Sequence, residues 1–175
     1  SFVCGPYIIR LLKSYQTEGQ PIREDGPEGH ILTKAGTPTM GGFMILLALV
    51  LATLLWADLR NGYIWAALVV TVAFGLIGFF DDYAKVSLNN SKGIPGKLKL
   101  SLQMVFALAA TIWITSLTSS PLATSLALPF FKSVLIDLGW FFVVFGILVI
   151  VGASNAVNLT DGLDGLAIGP VMIAA

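Results

Sequence analysis

Long apolar runs separated by short polar segments define the pattern of this chain. Residues 40–57, 63–80, 98–117 and 134–153 form continuous apolar runs, each long enough to cross about 30 Å of hydrocarbon as a helix. Partial runs occupy residues 2–13 and 166–175. The apolar residues do not alternate with polar ones as barrel strands require, so only helices fit them. The sequence therefore predicts an all-α fold, a polytopic integral membrane helical bundle.

The runs at the two ends are shorter than a full span. The sequence begins at Ser1 inside one apolar run and finishes at Ala175 inside another, and no basic segment typical of a signal peptide precedes the first run. We therefore expect residues 1–175 to be a fragment of a single transmembrane domain, with part of the function resting on other segments.

The loops predict an orientation. If each run crosses once, residues 14–39, 81–97 and 154–165 emerge on one side, and residues 58–62 and 118–133 on the other. The first side holds eight of the ten basic residues, namely Arg10, Lys13, Arg23, Lys34, Lys85, Lys92, Lys97 and Lys99. Because basic loops stay in the cytoplasm, we predict that this side is cytoplasmic.

Composition supports the membrane prediction and excludes one class of partner. Hydrophobic residues make up 56% of the chain and charged residues only 11%, against about 25% charged residues in soluble domains. Ten basic residues balance ten acidic ones, so the positive field that nucleic-acid binding needs is missing. The single cysteine, Cys4, excludes a disulfide framework within the chain.

The most informative polar stretch lies between the last two apolar runs, at residues 155–167. It contains Asp161-Gly162 and Asp164-Gly165, preceded by two asparagines. A lone Asp-Gly step is ordinary turn chemistry. Acidic residues at a membrane are costly, about 2.5–3.5 kcal/mol at the bilayer centre, and are functional candidates by default. We predict a polar turn with a functional role.

A second acidic cluster, Asp81-Asp82, ends the run 63–80. If the helix ends there, both carboxylates lie at the negative end of its dipole, which is unfavourable by up to about 1 kcal/mol each. If it continues, Asp81 and Lys85 form an i,i+4 ion pair. The alternative to a functional site is a solvated helix end with an exposed ion pair.

Carboxylates gathered at one face of the membrane need a compensating cation. Unit charges about 4 Å apart repel by about 4 kcal/mol at an effective dielectric of 20. Mg²⁺ prefers oxygen ligands and is usually shared with substrate phosphates. No His/Cys cluster competes for a softer metal, and the spacing of residues 161–165 does not fit a calcium loop. We therefore predict Mg²⁺ as the cofactor.

A third segment, residues 34–42, is rich in glycine and proline. Lys34, Thr37 and Thr39 offer donors to an anion near the start of the next helix. This signal is weak by itself. His30 stands alone in the preceding loop and is interpreted as a solvated loop residue.

Together these segments resemble the phospho-N-acetylmuramoyl-pentapeptide transferase family, part of the wider polyprenyl-phosphate N-acetylhexosamine-1-phosphate transferases. The matching residues are Gly-Thr-Pro-Thr-Met-Gly-Gly at 36–42, Asp-Asp-Tyr-Ala-Lys at 81–85 and the stretch 155–167. A small departure is Gly93-Ile94, where Gly-Leu is commoner. A larger one is that the family's first helix and its downstream half, with a further Asp and a His-rich motif, have no counterpart here.

The resemblance implies a Mg²⁺-dependent phosphoglycosyl transferase of the bacterial inner membrane, with its active-site loops facing the cytoplasm. Such an enzyme transfers phospho-N-acetylmuramoyl-pentapeptide from UDP to undecaprenyl phosphate, which gives UMP and the first lipid-linked peptidoglycan precursor. We expect the fragment alone to be inactive, and a homodimer is compatible with the sequence.

The resemblance also implies roles for particular residues. Asp81, Asp82 and Asp164 are the expected catalytic residues. Asp81 is expected nearest the acceptor phosphate, and Asp81 and Asp82 are the expected metal ligands. Expected substrate contacts are Lys34, Thr39, Lys85, Asn158 and Asp161. Lys99 and Gln103, one turn apart, match a further family pair with a structural or phosphate-facing role.

Two other functions remain open at this point. A relative that transfers N-acetylglucosamine-1-phosphate would keep both aspartate clusters, although such relatives usually carry a basic residue where Met40 stands. A secondary transporter would also place acids at broken helices, but near the membrane midplane rather than at one edge.

Overall fold

Helices dominate the computed structural model, which describes residues 5–7, 10, 14, 41–87, 93–118, 120–128, 131–160 and 173. The principal helices are α1 (Gly41–Trp56), α2 (Gly62–Ser87), α3 (Gly96–Ser116) and α4 (Phe141–Thr160). A 3-10 helix at Pro121–Thr124 and the strands β1 (Ser125–Leu128) and β2 (Phe131–Asp137) lie between α3 and α4. The predicted all-α class is confirmed, with one small hairpin added to it.

The helices α2, α3 and α4 are long and apolar enough to span a membrane. They contain 26, 21 and 20 residues, whereas α1 is a shorter apolar helix of 16 residues. Many of their large apolar side chains face outward. Val105 on α3 and Leu148 on α4, for example, are 60% and 63% exposed. Lipid accommodates such surfaces while the helices satisfy their own backbone groups.

The chain divides into two compact units, residues 1–102 and 103–175. In the first unit α1 packs against α2 in antiparallel orientation. The Leu46 side chain lies against Gly75, where a Cβ atom would stand 2.6 Å from Leu46 Cδ2. Farther along, the rings of Phe43 and Phe79 lie with centroids 5.8 Å apart. The contact between α1 and α2 therefore reaches the turn of α2 that precedes Asp81 and Asp82.

Asn61 caps the start of α2. Its side-chain oxygen accepts a hydrogen bond from the Tyr63 N–H at 3.0 Å, which satisfies one of the amides that a helix leaves free in its first turn. In the preceding turn, the Asp58 carboxylate accepts from the Arg60 N–H at 3.0 Å. A helix of 26 residues that begins here is about 39 Å long.

In the second unit small side chains let α3 and α4 approach each other. Thr111 is buried on α3, and a Cβ at Gly146 of α4 would lie 2.7 Å from its Cγ2. Near the other end of this contact, Asn155 Nδ2 donates to Gln103 Oε1 at 2.8 Å. The pairs run in opposite order along the two helices, so this part of α3 is antiparallel to α4. We call these four residues the α3–α4 seam.

The hairpin between α3 and α4 was not predicted. Its strands pair antiparallel, with Ser125 opposite Asp137 and an irregularity after Ala127. The Asp137 carboxylate accepts from the Thr124 hydroxyl at 2.8 Å and from the Gly139 N–H at 2.9 Å. These bonds lower the pKa of Asp137, the Gly139 bond most strongly. Asp137 thereby ties the hairpin to the turn that precedes α4.

The last complete helix differs from the predicted span 134–153. Residues 134–137 belong to β2, and α4 begins at Phe141 and continues to Thr160. The apolar residues Val134, Leu135 and Ile136 of β2 are separated from the apolar start of α4 by only one charged residue, Asp137, so hydropathy alone did not divide strand from helix. The boundary is the turn at Gly139, whose φ of +50° suits glycine.

Two polar segments that we placed in loops are helical at the residues described. Residues 81–87 form the last turns of α2, and residues 155–160 form the last turns of α4. The two Asp-Gly steps of the second segment lie outside the described residues. A helix tolerates Asn and Thr near its end because their side chains bond nearby carbonyls. Asn155 Nδ2 donates to the Val151 carbonyl and Thr160 Oγ1 to that of Val157.

Candidate active site

Asp81 is the centre of a charged cluster at the end of α2. Asp81 is only 8% exposed. Its Oδ2 atom lies 2.9 Å from Lys85 Nζ and 3.5 Å from Lys99 Nζ. Lys85 follows one turn later on α2, as expected if the helix continues, whereas Lys99 comes from the first turn of α3. A buried carboxylate is costly unless it is paired. Here two ammonium groups compensate it.

The other oxygen of Asp81 binds the turn that precedes α3. Oδ1 accepts a hydrogen bond from the Ile94 N–H at 2.9 Å. Gly93, beside it, has a φ of +59°. The two oxygens of Asp81 therefore have separate partners, backbone for Oδ1 and lysines for Oδ2. This division fixes the orientation of the carboxylate.

Asp82 is the more open of the two carboxylates. Its side chain is 33% exposed, and its Oδ1 lies 3.1 Å from Lys85 Nζ. Lys85 thus bridges both aspartates. Because an exposed carboxylate can meet a ligand from solution, Asp82 is better placed than Asp81 to contact a soluble substrate or a metal ion.

Aromatic residues precede and follow the two aspartates along α2. Phe79 and Tyr83 stack with centroids 6.4 Å apart and an interplanar angle of 12°. The rings of Phe80 and Tyr83 are both more than half exposed. A surface with charged groups next to exposed apolar rings suits a ligand that has a phosphate and a hydrocarbon part.

The residues of the cluster fit a shared Mg²⁺ ion better than an all-protein cage. In the part of the chain that the structure describes, no group of three or more Asp, Glu, His or Cys side chains is placed to hold a metal. Asp81 and Asp82 offer the oxygen donors that Mg²⁺ prefers, but lysines already contact both. An ion there needs further oxygen ligands, and substrate phosphates are the usual source.

The structure describes four of the eight predicted site residues. Asp81, Asp82 and Lys85 are brought together in the cluster, as the sequence indicated. Asn158 is exposed on the last turns of α4. The other four, Lys34, Thr39, Asp161 and Asp164, lie outside the described residues.

Sequence reasoning missed two features. The bond from Ile94 to Asp81 joins residues 13 apart through a backbone N–H, and a backbone group leaves no signal in the residue types. Only Gly93, which permits the turn, hinted at it. The second feature is the pairing of Gln103, a polar residue inside an apolar run, with Asn155. The role of Lys99 was left open, and its contact with Asp81 gives it at least a structural one.

Comparison with known proteins gives this arrangement a family. Residues 64–175, which include the cluster and all of α3 and α4, match glycosyl transferase family 4. The chain belongs to glycosyl transferase family 4. Within it, residues 34–46 match signature 1 of phospho-N-acetylmuramoyl-pentapeptide-transferase.

A curated relative is similar to the chain over its whole length. A protein of Granulibacter bethesdensis named phospho-N-acetylmuramoyl-pentapeptide-transferase is 63% identical over all 175 residues of the chain. The chain spans 48% of the length of that relative. The similarity thus covers the charged cluster, the α3–α4 seam and the segments outside the described residues.

Proposed function

We propose that the full-length protein transfers phospho-N-acetylmuramoyl-pentapeptide from its UDP carrier to undecaprenyl phosphate. The observation that carries this proposal is the signature match at residues 34–46, joined to 63% identity over the whole chain with a relative of that name. An oxygen of the acceptor phosphate attacks the phosphorus attached to the sugar. The bond from that phosphorus to UMP breaks, and UMP leaves.

The geometry of the cluster supports this chemistry. A polyanionic donor must approach a phosphate that is held in a membrane, so the site needs positive charge to offset their repulsion. Asp81 holds the ammonium groups of Lys85 and Lys99 at one oxygen. The exposed rings of Phe80 and Tyr83 belong to the same end of α2 and suit the first units of a prenyl chain.

The proposed roles follow the family pattern. Asp81, Asp82 and Asp164 are catalytic, with Asp81 nearest the acceptor phosphate. That phosphate is largely ionised at pH 7, so proton abstraction contributes little to the rate. The main role of Asp81 in this proposal is to orient the two lysines. The substrate contacts are Lys34, Thr39, Lys85, Asn158 and Asp161.

Mg²⁺ completes the proposed site. Asp81 and Asp82 would hold the ion together with phosphate oxygens of the donor, and it would stabilise the charge that develops on UMP. Asp82, the more exposed carboxylate, is the principal protein ligand in this proposal.

The location proposed for the protein is the bacterial inner membrane. The excess of basic residues in the loops on the Asp81 side of α2 supports a cytoplasmic location for this end of the helix, on the side from which a soluble donor would bind. We propose that residues 1–175 alone are inactive, since they span 48% of the length of the relative. A homodimer is compatible with this arrangement.

Donor choice tests the proposal. Full-length protein in detergent is mixed with undecaprenyl phosphate and either UDP-N-acetylmuramoyl-pentapeptide or UDP-N-acetylglucosamine, and UMP release is measured. We expect release with the pentapeptide donor only. The opposite preference would assign the protein to the N-acetylglucosamine-1-phosphate transferases, and release from neither would overturn the transferase proposal.

A further inference from the structure

Gly93 stands where any side chain would disturb the charged cluster. A Cβ atom built there lies 3.2 Å from Asp81 Cγ and 2.9 Å from Lys85 Cε, and it collides with Asp81 Oδ1. Among the described glycines, only Gly93 and Gly139 have a positive φ, and a Cβ at Gly139 would meet nothing within 4 Å, whereas one at Gly93 would meet two charged side chains.

We infer that Gly93 is a positioning residue: its missing side chain lets the turn before α3 press its backbone against Asp81 and set the direction of that carboxylate. The bond from the Ile94 N–H to Oδ1 is the contact that results. With Oδ1 held by the backbone, Oδ2 points to Lys85 and Lys99. Gly93 thereby determines where two ammonium groups stand without touching a substrate itself.

A methyl group at this position has a predictable consequence. The atoms it would meet are the ends of side chains rather than backbone, so the fold can yield by moving them. The movement displaces Oδ1 from the Ile94 N–H and shifts Oδ2 relative to both lysines. A substitution at Gly93 therefore acts on the geometry of the cluster before it acts on folding.

This inference rests on the proposed function for its kinetic consequence only. If Asp81 and the lysines orient the acceptor phosphate, a displaced carboxylate misplaces the attacking oxygen. A displacement of about 1 Å at a reacting centre can cost a hundredfold in rate. Because Asp81 and Lys85 are also proposed to contact the donor or its Mg²⁺, the KM for the donor should rise as well, but by less than kcat falls.

The experiment compares three substitutions in the full-length protein. Gly93→Ala and Gly93→Asn both add a Cβ atom, but asparagine tolerates a positive φ far better than alanine does. Gly96→Ala is the matched control, because nothing lies within 4 Å of a Cβ at Gly96 and its φ is not positive. We expect both Gly93 variants to lose about a hundredfold in kcat with a much smaller rise in donor KM, and Gly96→Ala to stay within about twofold of the wild type.

Recovery of the wild-type rate in Gly93→Asn alone would overturn the inference, since it would make Gly93 a simple turn residue. Wild-type rates in both variants would overturn it too.

A double-mutant cycle, measured by melting temperature, tests the inference independently of transferase activity. The melting temperatures of wild type, Gly93→Ala, Asp81→Ala and the double variant are measured in detergent. In the Asp81→Ala background no carboxylate remains to collide with, so we expect Gly93→Ala to lower the melting temperature less than it does in the wild type. Equal decreases in the two backgrounds would overturn the inference. Absence of UMP release in the wild type would instead reject the proposed function. The role of Gly93 would then be tested by the melting temperatures alone.

Discussion

The charged cluster around Asp81 and the α3–α4 seam both contain polar groups among apolar helices, but they differ in the charge of those groups. The cluster gathers two carboxylates and two ammonium groups at one end of α2 and keeps Asp81 almost completely buried. The seam uses one neutral hydrogen bond, between Gln103 and Asn155, and a glycine against a threonine.

The two arrangements differ in how much they contribute to the stability of the fold. Buried ion pairs are weak evidence for stability, because the desolvation penalty can exceed the Coulombic gain. Close helix packing through small residues is the ordinary way in which membrane helices associate. We therefore expect a substitution at Asp82, the more open carboxylate of the cluster, to change the reaction more than the fold, and substitutions in the seam to do the reverse.

The largest effect is expected for Asp82→Asn in the full-length protein. The change keeps the volume of the side chain but removes one anionic oxygen from the proposed metal and phosphate site. Loss of a charge contact in the transition state typically costs about a hundred- to a thousandfold in rate. UMP release is measured over a range of Mg²⁺ concentrations, with the melting temperature recorded beside it.

Asp58→Asn is the control for this experiment, because it makes the same chemical change in the turn at the other end of α2. It should leave the rate of transfer unchanged. A near-normal rate for Asp82→Asn at low Mg²⁺ would identify Asp82 as an ordinary solvated residue, and a collapsed melting temperature would make its role structural.

The next largest effect is expected for Gly146→Ala in the seam. The added methyl group would lie 2.7 Å from Cγ2 and 2.8 Å from Oγ1 of Thr111, and overpacking of this kind typically costs about 1–3 kcal/mol. Gly152→Ala is the matched control on the same helix, with nothing within 4 Å of its new Cβ. We expect a lower melting temperature for Gly146→Ala only, with the rate per folded molecule preserved. Equal melting temperatures for the two variants would show that the seam is not tightly packed.

A smaller effect is expected from the hydrogen bond of the seam. Gln103→Leu, Asn155→Leu and the double variant form a cycle whose coupling energy measures this one contact. Hydrogen bonds between membrane helices average about 0.6 kcal/mol in such cycles, so we expect a coupling of that size. The free energies of unfolding are measured by titrating each variant with increasing concentrations of a denaturing detergent. Strictly additive losses would mean that the two side chains do not support each other.

The smallest effect is expected at Asp137, outside the helices. Its folded-state pKa lies below the ordinary value of 3.8, because the Gly139 N–H and the Thr124 hydroxyl donate to its carboxylate. A lowered folded pKa contributes stability above the unfolded value, and this contribution is lost as the pH falls through the folded value. Between pH 7 and pH 3, the wild type should therefore lose slightly more melting temperature than Asp137→Asn. An identical loss would show that Asp137 does not support the hairpin.

The sequence was informative where polarity changes sharply. The break after Phe80 located Asp81 and Asp82, and the spacing to Lys85 gave one of the two geometries that the structure then selected. It failed between β2 and α4, where a single charged residue, Asp137, interrupts the apolar residues and the turn at Gly139 makes the actual boundary. Contacts made by backbone groups, such as that of Ile94 with Asp81, have no residue signature and required coordinates.

The most direct test of the account asks where the substrates bind and on which side of the membrane. Tyr83, the residue after Asp82, is 54% exposed, and Arg60 lies in the turn at the opposite end of α2. In full-length protein with Cys4→Ser, single Tyr83→Cys and Arg60→Cys variants are treated with a membrane-impermeant thiol reagent in oriented vesicles. The account predicts that position 83 is labelled only from the cytoplasmic side and that undecaprenyl phosphate with the pentapeptide donor slows this labelling, whereas position 60 is labelled only from the other side at an unchanged rate. Labelling of position 83 from outside, or labelling that the substrates do not slow, would contradict the claim that this end of α2 is the active site.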